Sequence, residues 1–211
     1  MNPEAALDLD LDLDRTALIA YDVNRRQLEP SDPARREAMR PVLEAWVKLI
    51  GAARSARVPV IYTTPVSRAD GADVVLLPTD LGARTGTPSL TNATEGTEGA
   101  GFPQVIAPRA EDYVFLKRRP SAFYGTGVAE LLRMLRKDTI LIGGGATNRG
   151  VETSVREAFS MDLRVVVVRE CCWGGNREAH EHSLDTSLAM FARVRTLDVA
   201  LRALTRRRRP E

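Results

Sequence analysis

Six short apolar runs separated by amphipathic stretches constrain the fold of this chain more than any other feature. The runs are "RTALIAYDV", "VPVIYTTP", "DYVFLK", "TILIGG", "LRVVVVREC" and "VRTLD". Between them lie helical patterns. From Asp32 to Ala56, Met39, Val42, Leu43, Trp46, Leu49, Ile50 and Ala53 recur at helical spacing, with Pro33 suited to the first helical position. "GTGVAELLRMLRKD", "NRGVETSVREAFSMD", "REAHEHSLDTSLAMFA" and "VALRALTR" supply further helices; Val151, Val155, Ala158 and Phe159 share one side of the second of these. Strands apolar on both faces, alternating with helices, imply a parallel sheet covered on both sides. We therefore expect one three-layer α/β/α domain over residues 1–211, with a six-stranded parallel sheet. Pro65 is expected to halt the second strand. Residues 66–110, rich in Gly, Pro, Thr, Ser and Asn, read as a long loop with a helical turn near Phe102–Ile106, serving a site or a subunit contact.

Charge and cysteine content narrow the classes. The net charge is +2, but the tail "RRRRPE" carries four Arg and one Glu, leaving 26 basic against 27 acidic residues elsewhere. That balance argues against a nucleic-acid-binding body. Residues 206–211 read as a frayed basic end and residues 1–14 as a loose acidic lead-in; "LDLDLDLD" alternates with period two and equally suits an edge strand. No apolar run is long enough to span a bilayer, and the N-terminus lacks a signal-peptide core. The two cysteines, Cys171 and Cys172, are neighbours, which suits small buried thiols in a reducing, cytosolic compartment rather than a disulfide framework.

In parallel sheets, sites form at the carboxyl ends of strands. Three such ends carry notable residues: Asp22, Lys117 and the turn Gly143–Gly150. A carboxylate ending an apolar strand needs a partner, and Lys117 is the candidate. Taken singly, each is also consistent with a cap or a solvated end.

These motifs together resemble the isochorismatase-like, or cysteine hydrolase, family. "ALIAYDVNRRQL" is similar to the family's strand ending in Asp, "KRRPSAFYGT" to its Lys motif, and "GGATNRGVETSVREA" to its third motif; the resemblance runs from about Thr16 to Leu204. It implies a Rossmann-like fold, a dimer or tetramer, and an Asp–Lys–Cys triad in which Cys attacks a carbonyl-type carbon. Carried over, Asp22 and Lys117 match. The amides of Ala146 and Gly150 become the oxyanion donors, and a cis peptide falls at Gly145–Ala146.

The nucleophile's position, however, is Gly150, which excludes covalent acyl transfer by the usual route. Three readings remain open. The chain does non-covalent chemistry, as the resemblance to true isochorismatases implies, with Asp22 as acid protonating a vinyl ether. Or it is an inactive relative that binds a ligand or partner. Or Gly150 replaces a native Cys. On the first reading, loss of the Cys side chain enlarges the pocket. Thr64 and Asn148–Arg149 depart from the isochorismatase pattern and speak against isochorismate itself; Arg149 suits a carboxylate. Thr147 belongs to the same turn, and Phe123, Tyr124 and Trp173 are candidate pocket walls, with core packing as the alternative, the more so for Phe123. No cofactor or metal is implied. The only histidines, His180 and His182, sit two apart on a late helix and read as surface residues. The expected partner is a small-molecule substrate, with no nucleic acid and no membrane.

Overall fold

The computed structural model describes residues 8–86 and 92–206. Strands β1 (Thr16–Tyr21), β2 (Val60–Ser67), β4 (Tyr113–Lys117), β5 (Thr139–Gly144), β6 (Arg164–Val168) and β7 (Arg193–Arg195) are the six expected, and all pair in parallel. Their order is β4-β2-β1-β5-β6-β7, and a seventh strand, β3 (Ala93–Thr94), pairs with the last two residues of β2.

The sheet divides two cores by strict alternation. Leu18 and Ala20 of β1, Leu141 of β5, and Val166 and Val168 of β6 face one side. There they meet the long helix α2 (Pro33–Ser55) and the last helix, α7 (Leu197–Thr205). Ala17, Ile19, Tyr21, Ile140, Ile142, Val165 and Val167 face the other. That side is covered by α4 (Val128–Met134) and α5 (Glu152–Ser160), with Leu184 and Leu188 from the turns after α6 (Arg177–His182). Asp32 caps α2 by accepting from the Arg35 amide at 2.7 Å, and Pro33 takes the first helical position.

Several expectations are corrected. Strand β2 runs through Pro65. The Thr63 carbonyl accepts from the Asp22 amide at 2.8 Å, so Thr63, and Pro65 two residues on, turn their peptide groups toward β1. Strand β1 pairs with β2 only as far as Tyr21↔Thr63, so the donor that Pro65 lacks faces a flank where no ladder bond is needed. The described part of the acidic lead-in packs rather than hanging loose: Leu9 and Leu11 are buried while Asp8 and Asp10 are exposed, so the period-two pattern was an inward-facing row of leucines. Residues 1–7 lie outside the described residues, as does the basic tail beyond Arg206, whose guanidinium pairs with Asp8 at 2.8 Å. Phe159 is 51% exposed and stacks edge-on against Phe191 instead of joining Val151, Val155 and Ala158 in the core. The 66–110 segment holds, besides β3, a short helix α3 (Asp80–Thr85) and the expected turn, here Gln104–Ile106. Besides β3 and α3, sequence periodicity missed helix α1 (Arg25–Leu28), which is a single turn capped by the Asn24 side chain.

Candidate active site

Strand β1 ends because Asp22 adopts φ +58°, a left-handed conformation that aspartate tolerates better than most residues. The turn leaves the carboxyl buried at the sheet's carboxyl edge, 6% exposed. Lys117 closes β4 two strands away and is 3% exposed. Its Nζ lies 3.1 Å from Asp22 Oδ1, 3.2 Å from the Arg119 carbonyl and 4.4 Å from the centroid of the Tyr21 ring. The expected pair therefore meets. It is an ion pair rather than an aligned hydrogen bond, because Asp22 Oδ1 has no hydrogen-bond partner among the described residues. Burial pushes the Asp22 carboxyl up from 3.8 to about 7, against the lowering influence of the Lys117 charge.

The third strand end, β5, delivers the turn. The Gly145–Ala146 peptide is cis, as the resemblance implied. Thr147–Val151 forms one wide helical turn that runs into α5. Gly144 has φ +149°, and a Cβ there would fall within 2.7 Å of Tyr21 Cδ1, so only glycine fits. Gly150 is glycine for a different reason. Its backbone is ordinary, but a Cβ would fall within 2.6 Å of Tyr21 Cζ and closer still to the hydroxyl. The side chain missing at 150 has thus been replaced, not merely removed. This corrects the expectation of an enlarged pocket. The Tyr21 phenol reaches over Gly150, and its hydroxyl donates to the Pro120 carbonyl. Burial pushes that phenol well above its usual range, which holds it as a neutral donor.

A pocket of about 100 Å³ remains, whose lining includes Tyr21, Asp22, Lys117, Ala146, Arg149 and Gly150 together with Gln27, Asn92 and Pro65. Ser154 ties the Lys motif to the turn. Its Oγ accepts from the Ala122 amide at 2.9 Å and donates to the Gly150 carbonyl at 2.7 Å. Ser121 Oγ accepts from the amides of Phe123 and Tyr124, folding "SAF" back on itself.

Other expected wall residues stand elsewhere. Thr64 is buried and within 3.4 Å of the Asn24 side chain, outside the pocket lining. Phe123 is core and Tyr124 is 65% exposed. Trp173 lies against Gly145, where a Cβ would fall within 2.8 Å of its Cδ1, so it braces the turn from behind. Thr147 Oγ1 donates to the Trp173 carbonyl at 2.8 Å. It also lies 2.8 Å from His180 Nδ1, so His180 supports the turn instead of facing solvent; its imidazole is held below the ordinary value by burial. Asn148 is exposed on the outer side, near Gly174. Neither cysteine reaches the site. Cys171 and Cys172 are buried on opposite faces of the sheet, and burial raises both thiols, Cys172 to about 12. Sequence reasoning missed Tyr21, Ser154, Gln27 and Asn92. The signal for Tyr21 was a bulky aromatic side chain immediately before the Asp, in a fold whose nucleophile position had been emptied.

The fold is a parallel α/β sheet whose carboxyl edge carries a buried carboxylate–ammonium pair and a glycine turn lining one pocket. The isochorismatase domain model matches residues 16–199, and the chain belongs to the isochorismatase family, whose members are hydrolases. It is 27% identical over 194 residues to a maleamate amidohydrolase of Pseudomonas putida, covering 90% of this chain and 87% of that protein. It is 28% identical over 156 residues to an N-carbamoylsarcosine amidase of Arthrobacter, covering 74% of this chain and 58% of that one. Among solved structures, an isochorismatase family protein from Burkholderia thailandensis superposes with a TM-score of 0.81 at 26% identity, covering 94% of this chain and all of that one. No described helix is long and apolar enough to cross a membrane.

Proposed function

We propose that this chain hydrolyses a small polar metabolite without a covalent intermediate. Asp22 is the proton donor and acceptor, and Lys117 is its electrostatic partner. The amides of Ala146 and Gly150 receive developing negative charge. One observation carries this reading: an Asp22 carboxyl held near 7 faces a turn where the Tyr21 phenol stands in the space a nucleophile would need. A carboxyl that keeps its proton near neutrality can protonate a vinyl-ether carbon; water then adds to the oxocarbenium ion and returns a proton to Asp22, and the hemiketal collapses, breaking the C–O bond and releasing the alcohol. The pairing of Tyr21 with Gly150 also supports Gly150 as this chain's own residue rather than a substituted Cys.

The test is a panel of vinyl ethers, amides and ureas assayed with wild type and Asp22→Asn. For at least one class we expect turnover that falls by roughly 10²–10⁴-fold in the variant, the range for losing a general acid or base. Intact-mass analysis during turnover should find no covalent adduct. Turnover unaffected by Asp22→Asn would overturn the proposal.

The smallness of the pocket favours a second reading, an inactive member that binds a ligand. Binding of a panel compound without turnover would establish it. We also propose a homodimer or homotetramer. Support comes from Val114 and Leu116, exposed on edge strand β4, and from Leu76 and Leu77 in the 66–110 segment. Light scattering showing a monomer at working concentration would refute it.

A further inference from the structure

A pocket of about 100 Å³ holds roughly three water volumes, enough for a reacting group and little else. The rest of any substrate must extend outward. Beside the pocket, and sharing Gln27 and Arg149 with it, lies a cleft of about 880 Å³. Five arginines line it: Arg25, Arg26, Arg35, Arg36 and Arg149. Its acidic residues, Glu29 and Glu98, both pair with Arg25, at 3.3 and 2.6 Å. Arg35 and Arg36 pair with no carboxylate among the described residues, although the Pro30 carbonyl accepts from Arg36 Nε at 2.9 Å and fixes its direction. Arg26 donates to the carbonyl of Asn92, which lines the inner pocket, so cleft and pocket are braced together. Elsewhere the charges of this chain nearly cancel, so a cationic cleft at the mouth of the site is a local feature.

We propose that this cleft binds an anionic oxygen group of the substrate, a carboxylate or a phosphate, while the reacting carbon reaches between Asp22 and the Gly145–Gly150 turn. Guanidinium groups grip such oxygens in pairs of parallel hydrogen bonds and hold the molecule in one register. The proposal deepens the hydrolase reading and rests on it for the orientation of the ligand, but anion binding can be measured without turnover.

The experiment is isothermal titration of the full chain with inorganic phosphate, succinate and neutral succinamide. The proteins compared are wild type, the double variant Arg35→Gln/Arg36→Gln, and Arg133→Gln as a control at an exposed position of α4 outside the cleft. Both anions, or one of them, should bind wild type, and succinamide should not. Preference for phosphate identifies a phosphate-bearing ligand and preference for succinate a carboxylate. The double variant should weaken the bound anion at least about tenfold, since it removes two charge-assisted hydrogen-bond donors. Arg133→Gln should leave affinity unchanged. Circular dichroism checks that the double variant is folded. No saturable binding of either anion, equal binding of succinamide, or equal weakening by Arg133→Gln would overturn the cleft. If the cleft fails while turnover still depends on Asp22, the hydrolase reading stands alone; if anions bind and nothing turns over, the cleft stands alone.

Discussion

Placing a cysteine at position 150 looks, from the resemblance alone, like restoring a triad. The geometry predicts a destabilised protein instead. A Cβ at 150 falls within 2.6 Å of Tyr21 Cζ and 2.8 Å of Cε1, distances no real Cβ tolerates, and Tyr21 is only 1% exposed. Overpacking of this kind costs about 1–3 kcal/mol. Displacing the phenol also breaks its hydrogen bond to the Pro120 carbonyl, worth about 1 kcal/mol. We expect Gly150→Cys to lose about 2–4 kcal/mol by urea titration, a fall of roughly 5–15 °C in Tm for a domain of this size. Gly150→Ala should cost nearly as much, because the clash begins at Cβ. Tyr21→Leu combined with Gly150→Cys should recover at least about 1 kcal/mol relative to additivity, since the two residues compete for one space. The thiol should react with a disulfide reagent faster in the double variant than in the single. If Gly150→Ala and Gly150→Cys both unfold within about 0.5 kcal/mol of wild type, the reasoning about Tyr21 is wrong.

Other consequences are testable in the same preparations. The folded state retains an Asp22 proton that the unfolded chain releases, so this carboxyl's contribution to stability is full below about pH 4, declines as pH rises to about 7, and is level beyond. Urea titrations across that range should show wild type losing ground to Asp22→Asn, and parallel curves would contradict the shift. Lys117→Met strips the buried carboxylate of its partner; the loss should be about 3–5 kcal/mol at pH 8 and distinctly less at pH 5, where Asp22 is protonated. An equal loss at both would refute that assignment. Ser154→Ala leaves the Ala122 amide and the Gly150 carbonyl short of their shared partner and should cost about 1–3 kcal/mol in chemical denaturation; no change would mean the tie is idle.

The sheet was legible because β1, β2 and β5 are buried along their whole length and read as unbroken apolar runs, and because helices separate the strands everywhere but in the 66–110 segment. Asp22, Lys117 and the glycine turn were legible because a charged residue ending such a run demands a partner. What escaped was whatever depends on direction rather than position. Tyr21 sits in an apolar run and reads as core; only the fold brings its phenol over Gly150. Trp173 and Thr64 flank the site in sequence, yet one braces the turn from behind and the other faces Asn24. Tyr124 follows the Lys motif, but the Ser121 turn leaves it exposed. The arginines of the cleft are spread over α1, the start of α2 and the glycine turn, so no local pattern announced them. Pro65 was misjudged because a proline breaks a strand only where its missing donor faces a neighbour.

The central claim is that Asp22 keeps its proton close to neutral pH beside a site with no nucleophilic side chain. Carboxyl carbon chemical shifts in labelled protein, with Asp22→Asn to assign the signal, measure that ionisation directly. The account predicts a titration midpoint near 7. A midpoint in the ordinary aspartate range, near 4, would show Lys117 outweighing burial and would remove the acid on which the proposed chemistry depends.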